Sequence, residues 1–194
     1  MSALVVLAHP AARSLSRRFA DLAVTTLVGS GKQPVFVDLY AEGFDPRLTA
    51  AERASYYAQA YDDRDTRADA DLLTAAETLV LVFPTWWFGP PAILKGWIDR
   101  VFSPGTAFDH GRNFGPIVPR LTKLRHVVIV TSLGSPWWVD WLVMRHPVRR
   151  MLKLAVTGAC APSARVTYLA LHAAETVSEA RLLAFESRLA SSLR

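Results

Sequence analysis

The chain has 194 residues, 51% of them hydrophobic and 20% charged, with 22 Lys and Arg against 17 Asp and Glu for a formal net charge of +5. That length and apolar content suit one α/β domain with its own core and exclude a disordered chain. The apolar runs are strand-sized, far below the roughly 20 residues that span a bilayer, and the start lacks the basic residues and cleavage site of a signal peptide.

The first apolar run, Leu4 to Ala8, predicts a strand near 3–8. His-Pro-Ala-Ala-Arg-Ser-Leu-Ser follows, from His9 to Ser16, and leads into a helix near 14–29 with Phe19, Leu22, Ala23 and Leu27 on one face. Ser14 suits the N-cap. A helix start carries free N–H groups and partial positive charge, so it attracts phosphate, and His9, Arg13, Ser14 and Ser16 would add donors. The alternative is that Ser14 only caps its helix and Arg13 is solvated. Neither glycine-rich phosphate motif is present. A second strand is expected near 34–39. Helices near 49–60 and 67–77 fill an Ala-, Asp- and Arg-rich region.

The third strand, near 78–83, reads TLVLVF and is apolar throughout, the pattern of a strand covered on both faces. It runs into Pro84-Thr85-Trp86-Trp87-Phe88-Gly89, then into a helix near 90–102 that Pro90 or Pro91 can start. An aromatic loop at the carboxyl end of a buried strand is where open α/β sheets bind flat ligands; the alternative is a plug for the core. The stretch 103–120 is long and irregular, as functional or mobile loops are. Strands near 125–131 and 164–170 and helices near 140–156 and 176–192 complete the chain. Cys160 reads as a buried structural thiol, and one cysteine excludes an internal disulfide and fits a reducing compartment. The histidines show no metal-ligand spacing, so no metal is expected. Arg145, Arg149, Arg150 and Lys153 cluster around His146. A basic chain suits an anionic small ligand; no recognition helix, zinc-finger spacing or RNA-binding aromatic signature points to nucleic acid.

Strand and helix alternate, which predicts a single domain over 1–194: a doubly wound five-stranded parallel sheet, order 2-1-3-4-5, with helices on both faces. The switch point of that order lies between the first and third strands, and the two informative loops flank it.

Three segments carry a resemblance. They are Ala8-His9-Pro10 with Ser14 and Ser16; Asp38-Leu39-Tyr40 with Phe44-Asp45-Pro46; and Phe83 to Phe102, which matches almost residue by residue. The chain resembles the NAD(P)H:quinone oxidoreductase family of flavodoxin-like flavoproteins, which includes quinone reductases and the ancillary reductases of bacterial potassium-efflux systems. The pattern covers about residues 3 to 135 and is only general beyond Pro136. It implies a flavodoxin-like fold and a bound flavin, FMN or FAD, with NAD(P)H as co-substrate. His9, Arg13, Ser14, Leu15 and Ser16 would hold the flavin phosphate and ribityl chain. Pro84, Thr85, Trp86, Trp87 and Phe88 would lie along the ring, and Thr131, Ser132, Leu133 and Gly134 at its other end.

Two departures stand out. The family's Thr-Thr-Gly-Gly loop is Thr-Ser-Leu-Gly here, with Leu133 at the first glycine, where a Cβ restricts positive φ. The tyrosine and histidine that mammalian members place after this loop are missing from Ser135-Pro136-Trp137-Trp138-Val139-Asp140-Trp141. Trp137 and Trp138 are candidates for a substrate-pocket wall, with packing in a core or dimer interface as the alternative. Arg145 and His146 are the candidates for the missing charge relay. The expected activity is hydride transfer from NAD(P)H through flavin to a quinone or similar acceptor by a ping-pong route. The alternative is a flavin-binding regulatory or electron-transfer protein serving a protein partner, which could be a membrane protein. A cytoplasmic homodimer is expected, paired through the helix near 90–102 and the segment after Gly134.

Overall fold

The computed structural model describes residues 2–111 and 115–194. Residues 112–114, within the loop expected over 103–120, lie outside the described residues. The chain begins β1 (Ser2–Leu7), α1 (Leu15–Gly29), β2 (Gln33–Asp38), α2 (Ala50–Ser55) and α3 (Arg67–Ala75). It continues through β3 (Thr78–Pro84), α4 (Ala92–Val101), the two-residue strands β4 (Phe108–Asp109) and β5 (Val118–Pro119), and β6 (His126–Leu133). A π-helical turn, Val139–Val143, precedes a helical run that starts as α5 (Pro147–Arg150), widens to π geometry over Met151–Thr157 and ends as α6 (Gly158–Cys160). Then come β7 (Arg165–His172), a short 3₁₀ turn and α7 (Glu179–Leu193).

Five parallel strands make one sheet in the order β2-β1-β3-β6-β7, which is 2-1-3-4-5 when only its own strands are counted. Alternate residues of each strand feed opposite faces. Leu4 and Val6 of β1 join α3, α4 and the 147–160 run around Trp97, Leu73 and Leu152. Val5 and Leu7 join α1 and α7, where Phe19 and Phe185 stack with ring centroids 4.8 Å apart. Arg18 of α1 also donates to Glu186 of α7. Both faces are therefore covered, which is why β3 is apolar at every position. Among the described residues no helix is long and apolar enough to cross a membrane.

The structure differs from the sequence reading in three places. The helix expected over 140–156 is broken. Pro147 has no N–H to give and drives the residue before it out of the right-handed helical region; Arg145 and His146 both have positive φ, 58° and 51°. The helix expected over 49–60 stops at Ser55, beyond which the chain turns through Tyr56 and Tyr57. The 103–120 stretch is partly ordered by β4 and β5, paired antiparallel outside the main sheet.

A buried ion pair ties α2 to α4. Arg100 Nε donates to Glu52 Oε1 at 2.7 Å, and both side chains are 4% exposed. Glu52 Oε2 takes the Thr49 N–H, closing a capping box, and Arg100 Nη1 donates to the Asp45 carbonyl. Gly96 lets α4 approach that same segment: a Cβ there would sit 2.2 Å from the Pro46 carbonyl oxygen. Burial pushes the Cys160 thiol up to about 11, which keeps it protonated and inert. Arg100→Met should strand the Glu52 charge, cost about 3–5 kcal/mol and lower Tm by roughly 6–20 °C in calorimetry. A drop of under about 2 °C would mean the pair contributes little to stability. His126 gives a second expectation. Its Nε2 lies 2.9 Å from Thr167 Oγ1, and burial, followed by Arg165 and Lys32, lowers the ring from 6.5 to about 4. The unfolded ring takes a proton that the folded ring refuses, so this contribution is intact above pH 6.5 and lost as pH falls toward about 4. His126→Gln should flatten the Tm profile in that window; an unchanged slope would place the acid sensitivity in other groups.

Candidate functional site

The carboxyl ends of β1, β3, β6 and β7 share one edge of the sheet, and the loops leaving them enclose a cavity of about 380 Å³. From the first loop it is lined by His9, Arg13, Ser14, Leu15 and Ser16; from the loop after β3 by Pro84, Thr85 and Trp86; from the end of β6 by Ser132, Leu133 and Gly134. Ala174 and Glu175 close it from the turn after β7. The structure therefore brings eleven residues singled out in the sequence into one cavity. It leaves Trp87 and Phe88 outside the lining, with Trp87 fully exposed, and Thr131 buried beneath it. Trp137 and Trp138 are also outside it, 57% and 48% exposed. Arg145 and His146 line a different cavity, of about 300 Å³, together with Arg149, Arg150, Lys153 and Leu154.

The first wall is the start of α1. Ser14 sits in extended backbone and its Oγ accepts the Arg17 N–H at 3.1 Å, while its carbonyl accepts the Arg18 N–H. The cap uses the hydroxyl as acceptor and leaves its proton to donate. Leu15 and Ser16 come next, and first-turn N–H groups have no acceptor within their own helix. Arg13 adds a formal cation at this end. His9 Nδ1 accepts the Ala11 N–H at 3.0 Å, so Nε2 is the nitrogen left to donate. This set of donors and positive charge fits an anion of phosphate size and chemistry.

The second wall is the turn after β3. Trp86 and Gly89 exchange both backbone hydrogen bonds, at 3.0 and 2.9 Å, around Trp87 and Phe88. Those two residues have φ of 49° and 55°, a left-handed pair that bulky side chains seldom adopt and that glycine or asparagine usually fills. Strain of this kind persists where the surroundings over-determine it, commonly beside a ligand. Thr85 N–H donates to the Ser132 carbonyl at 2.8 Å, and the Thr85 and Thr131 hydroxyls lie 2.7 Å apart. The two walls meet where the His9 and Trp86 rings come within 6.2 Å.

Leu133 does not need positive φ: it is the last residue of β6, in register with His172, and is buried. The departure at this position is therefore compatible with extended backbone. Gly134 comes next, where an added Cβ would press within 3.1 Å of Glu175 Oε1. Glu175 was not legible in the sequence as a site residue, since nothing near it repeats or matches a motif. Nor was the environment of His146. Its Nδ1 is 2.7 Å from Asp140 Oδ2, and His172 Nε2 reaches the same oxygen at 3.1 Å, with Asp140 buried. The partner of His146 is this carboxylate, while the flanking Arg145 is exposed. Nearby Tyr168 has its hydroxyl pushed well above the usual range, chiefly by burial and then by Asp140.

Comparison with known proteins follows the same outline. An NAD(P)H oxidoreductase of Haemophilus influenzae is 35% identical over 70% of this chain and 65% of its own length. NAD(P)H dehydrogenase [quinone] 1 of Cavia porcellus is 33% identical over 69% of this chain and 54% of its own. The chain thus spans about half to two thirds of the length of these relatives. Among solved structures, a Streptococcus mutans protein superposes with a TM-score of 0.85 at 28% identity, covering 100% of this chain and 99% of its own. A family described as having the flavodoxin-like fold matches residues 1–184, and the chain belongs to that family.

Proposed function

We propose that this protein is a flavin-dependent NAD(P)H oxidoreductase acting on a quinone or a similar small acceptor. The observation that carries the reading is the convergence of the 9–16 and 84–86 loops on one cavity at the switch point of the sheet. The names of the relatives from Haemophilus influenzae and Cavia porcellus point the same way.

The residues present fit the group. Arg13, Ser14, Ser16 and the start of α1 would hold the phosphate. Pro84, Thr85 and Trp86 would lie along one side of the ring system, and Ser132 to Gly134 would offer backbone groups at the other end. When bound, the flavin supplies the redox chemistry, accepting a hydride from NAD(P)H and passing two electrons and a proton's worth of hydrogen to the acceptor. The protein's work is placement and charge. The helix start and Arg13 give the cavity a positive end, suited to an anionic cofactor. The Trp86–Gly89 turn holds a rigid aromatic edge. One cavity shared by donor and acceptor means each must leave before the next enters, which gives ping-pong kinetics. Arg145 and His146 have no part in this scheme, since neither lines the cavity.

Expression or refolding with excess FMN and FAD should yield a yellow protein with quenched tryptophan emission, because Trp86 lines the cavity. Heat release and chromatography then identify the flavin, and NADH or NADPH oxidation with a simple benzoquinone reads the activity. Colourless protein with unquenched emission would sink the proposal; a yellow protein with no turnover would reduce it to a flavin-binding protein. Ser14→Ala tests the phosphate wall. The lost cap should cost the apoprotein about 0.5–2 kcal/mol. Flavin affinity should fall by more than that same change in stability accounts for. Equal losses in both would confine Ser14 to helix capping.

A further inference from the structure

A carboxylate in a cavity built for an anion calls for an explanation, and Glu175 is such a group. It stands on the 3₁₀ turn Ala174–Thr176 that joins β7 to α7 and closes the cavity. Its Oε1 lies 3.1 Å from the place a Gly134 Cβ would take. The helices α1 and α7 cover the same face of the sheet and meet where Arg18 donates to Glu186 and Phe19 stacks on Phe185. Arg18 is the fourth residue of α1 and Glu186 the eighth of α7, so α7 begins about one turn further out. The 174–176 turn lies beyond even that start. It therefore overhangs the beginning of α1, where the phosphate wall is.

We propose that Glu175 makes this cavity selective for a flavin mononucleotide over a flavin dinucleotide, an inference that rests on the flavin reading of the cavity. A mononucleotide carries its whole phosphate charge at the end of the ribityl chain, against the start of α1. A dinucleotide places part of that charge on a second phosphate further out, then needs room for a ribose and an adenine. On the α7 side that second phosphate meets the Glu175 carboxylate, with Glu179 in the first turn of α7 behind it. On the β2 side it meets Asp38, the last residue of β2. The cations of these flanks are already engaged: Arg17 between Asp21 and Asp38, Arg18 with Glu186, and Arg181 with the His172 carbonyl. Ala174 and Glu175 offer an adenine neither an aromatic face nor an apolar pocket. The cavity, about 380 Å³, is at the small end of ligand sites, which run from about 300 to 1,000 Å³. The wall is also held in place. Ala173, with φ of 50°, donates its N–H to the Ser135 carbonyl at 3.0 Å, and His172 Nε2 lies 3.1 Å from Asp140 Oδ2. Swinging the turn aside for a second phosphate would break these contacts.

The test is titration of the full chain, freed of flavin, with FMN and with FAD separately, read by tryptophan quenching and by flavin fluorescence. FMN should bind more tightly. Two unit charges about 6 Å apart repel by about threefold in affinity in water and up to about a hundredfold near a protein surface, so Glu175→Gln should raise FAD affinity by about tenfold. FMN affinity should change less, because its phosphate stays at the start of α1. Glu175→Asp keeps the charge and should keep the preference. The gap between the two flavins should narrow near 1 M salt, where the screening length is about 3 Å. Glu175 is exposed, and an unchanged Tm would confirm that both variants fold. FAD binding as tightly as FMN in the wild type would overturn the proposal and leave the flavin reading standing. So would an unchanged ratio in Glu175→Gln, or a Glu175→Asp variant that behaves like it. Binding of neither flavin would overturn the flavin reading itself, and this inference with it.

Discussion

The parting of the chain at β1 and β3 is the constraint on which the rest of this structure depends. These strands are neighbours in the sheet, in register from Ala3 with Thr78 to Leu7 with Val82. The helices that follow them nevertheless pack on opposite faces: α1 joins the core with Val5 and Leu7, α4 the core with Leu4 and Val6. Two loops that leave adjacent strands in opposite directions cannot pack on each other, so a crevice opens between them. Everything in the candidate site hangs from that divergence. The start of α1 faces the crevice because the helix must turn back at that point to cover the sheet. The aromatic turn faces it because α4 must depart the other way. The Gly96 contact with Pro46 and the Arg100–Glu52 pair then hold α4 and its surroundings on their face.

The same constraint explains why so much was legible in the sequence. Strands with both faces covered must be apolar throughout, so TLVLVF and LVVLA announce themselves. Alternating strands and helices fit the order 2-1-3-4-5, and the two loops at its switch point carry recognisable residue types. Ser14 could be read as a cap because capping is local, settled between it and the Arg17 N–H three residues on. The family resemblance supplied the cofactor, which local rules did not.

What was not legible depends on contacts distant in sequence or on backbone conformation. Asp140, His146 and His172 meet through the ends of separate elements, and no spacing rule joins a residue at 172 to one at 140. Glu175 enters the cavity only because β7 ends beside β6. The side chains of Trp87 and Phe88 were expected along the flavin, but a two-residue turn with both φ positive throws Trp87 into solvent. Alternation along an aromatic run does not reveal such a turn, because the residues that usually betray it, Asn and Gly, are absent from its centre. The break at 144–146 was signalled by Pro147, yet the helical periodicity around it is strong enough to hide it.

The strained turn after β3 and the segment after β6 share a physical logic. Trp87 and Phe88 occupy left-handed backbone that costs of order 1–3 kcal/mol for each such residue, and Arg145 and His146 do the same twelve and thirteen residues beyond the β6 end. In each case side chains that would normally be buried are held out: Trp87 by the paired Trp86 and Gly89 hydrogen bonds, the three tryptophans after Pro136 by a segment anchored on buried Asp140. Exposing a tryptophan forfeits the burial that most stabilises a core, and bending backbone to do so adds strain. Such a combination is unfavourable for folding alone and is offset only when the exposed rings acquire partners. Both sets of rings lie on segments that leave the cavity's edge of the sheet, Trp87 in a turn after β3 and the others in the helical turn after β6. The surface that costs this protein stability thus lies on segments that leave the edge of the sheet carrying the candidate site, where binding can return what folding gives up.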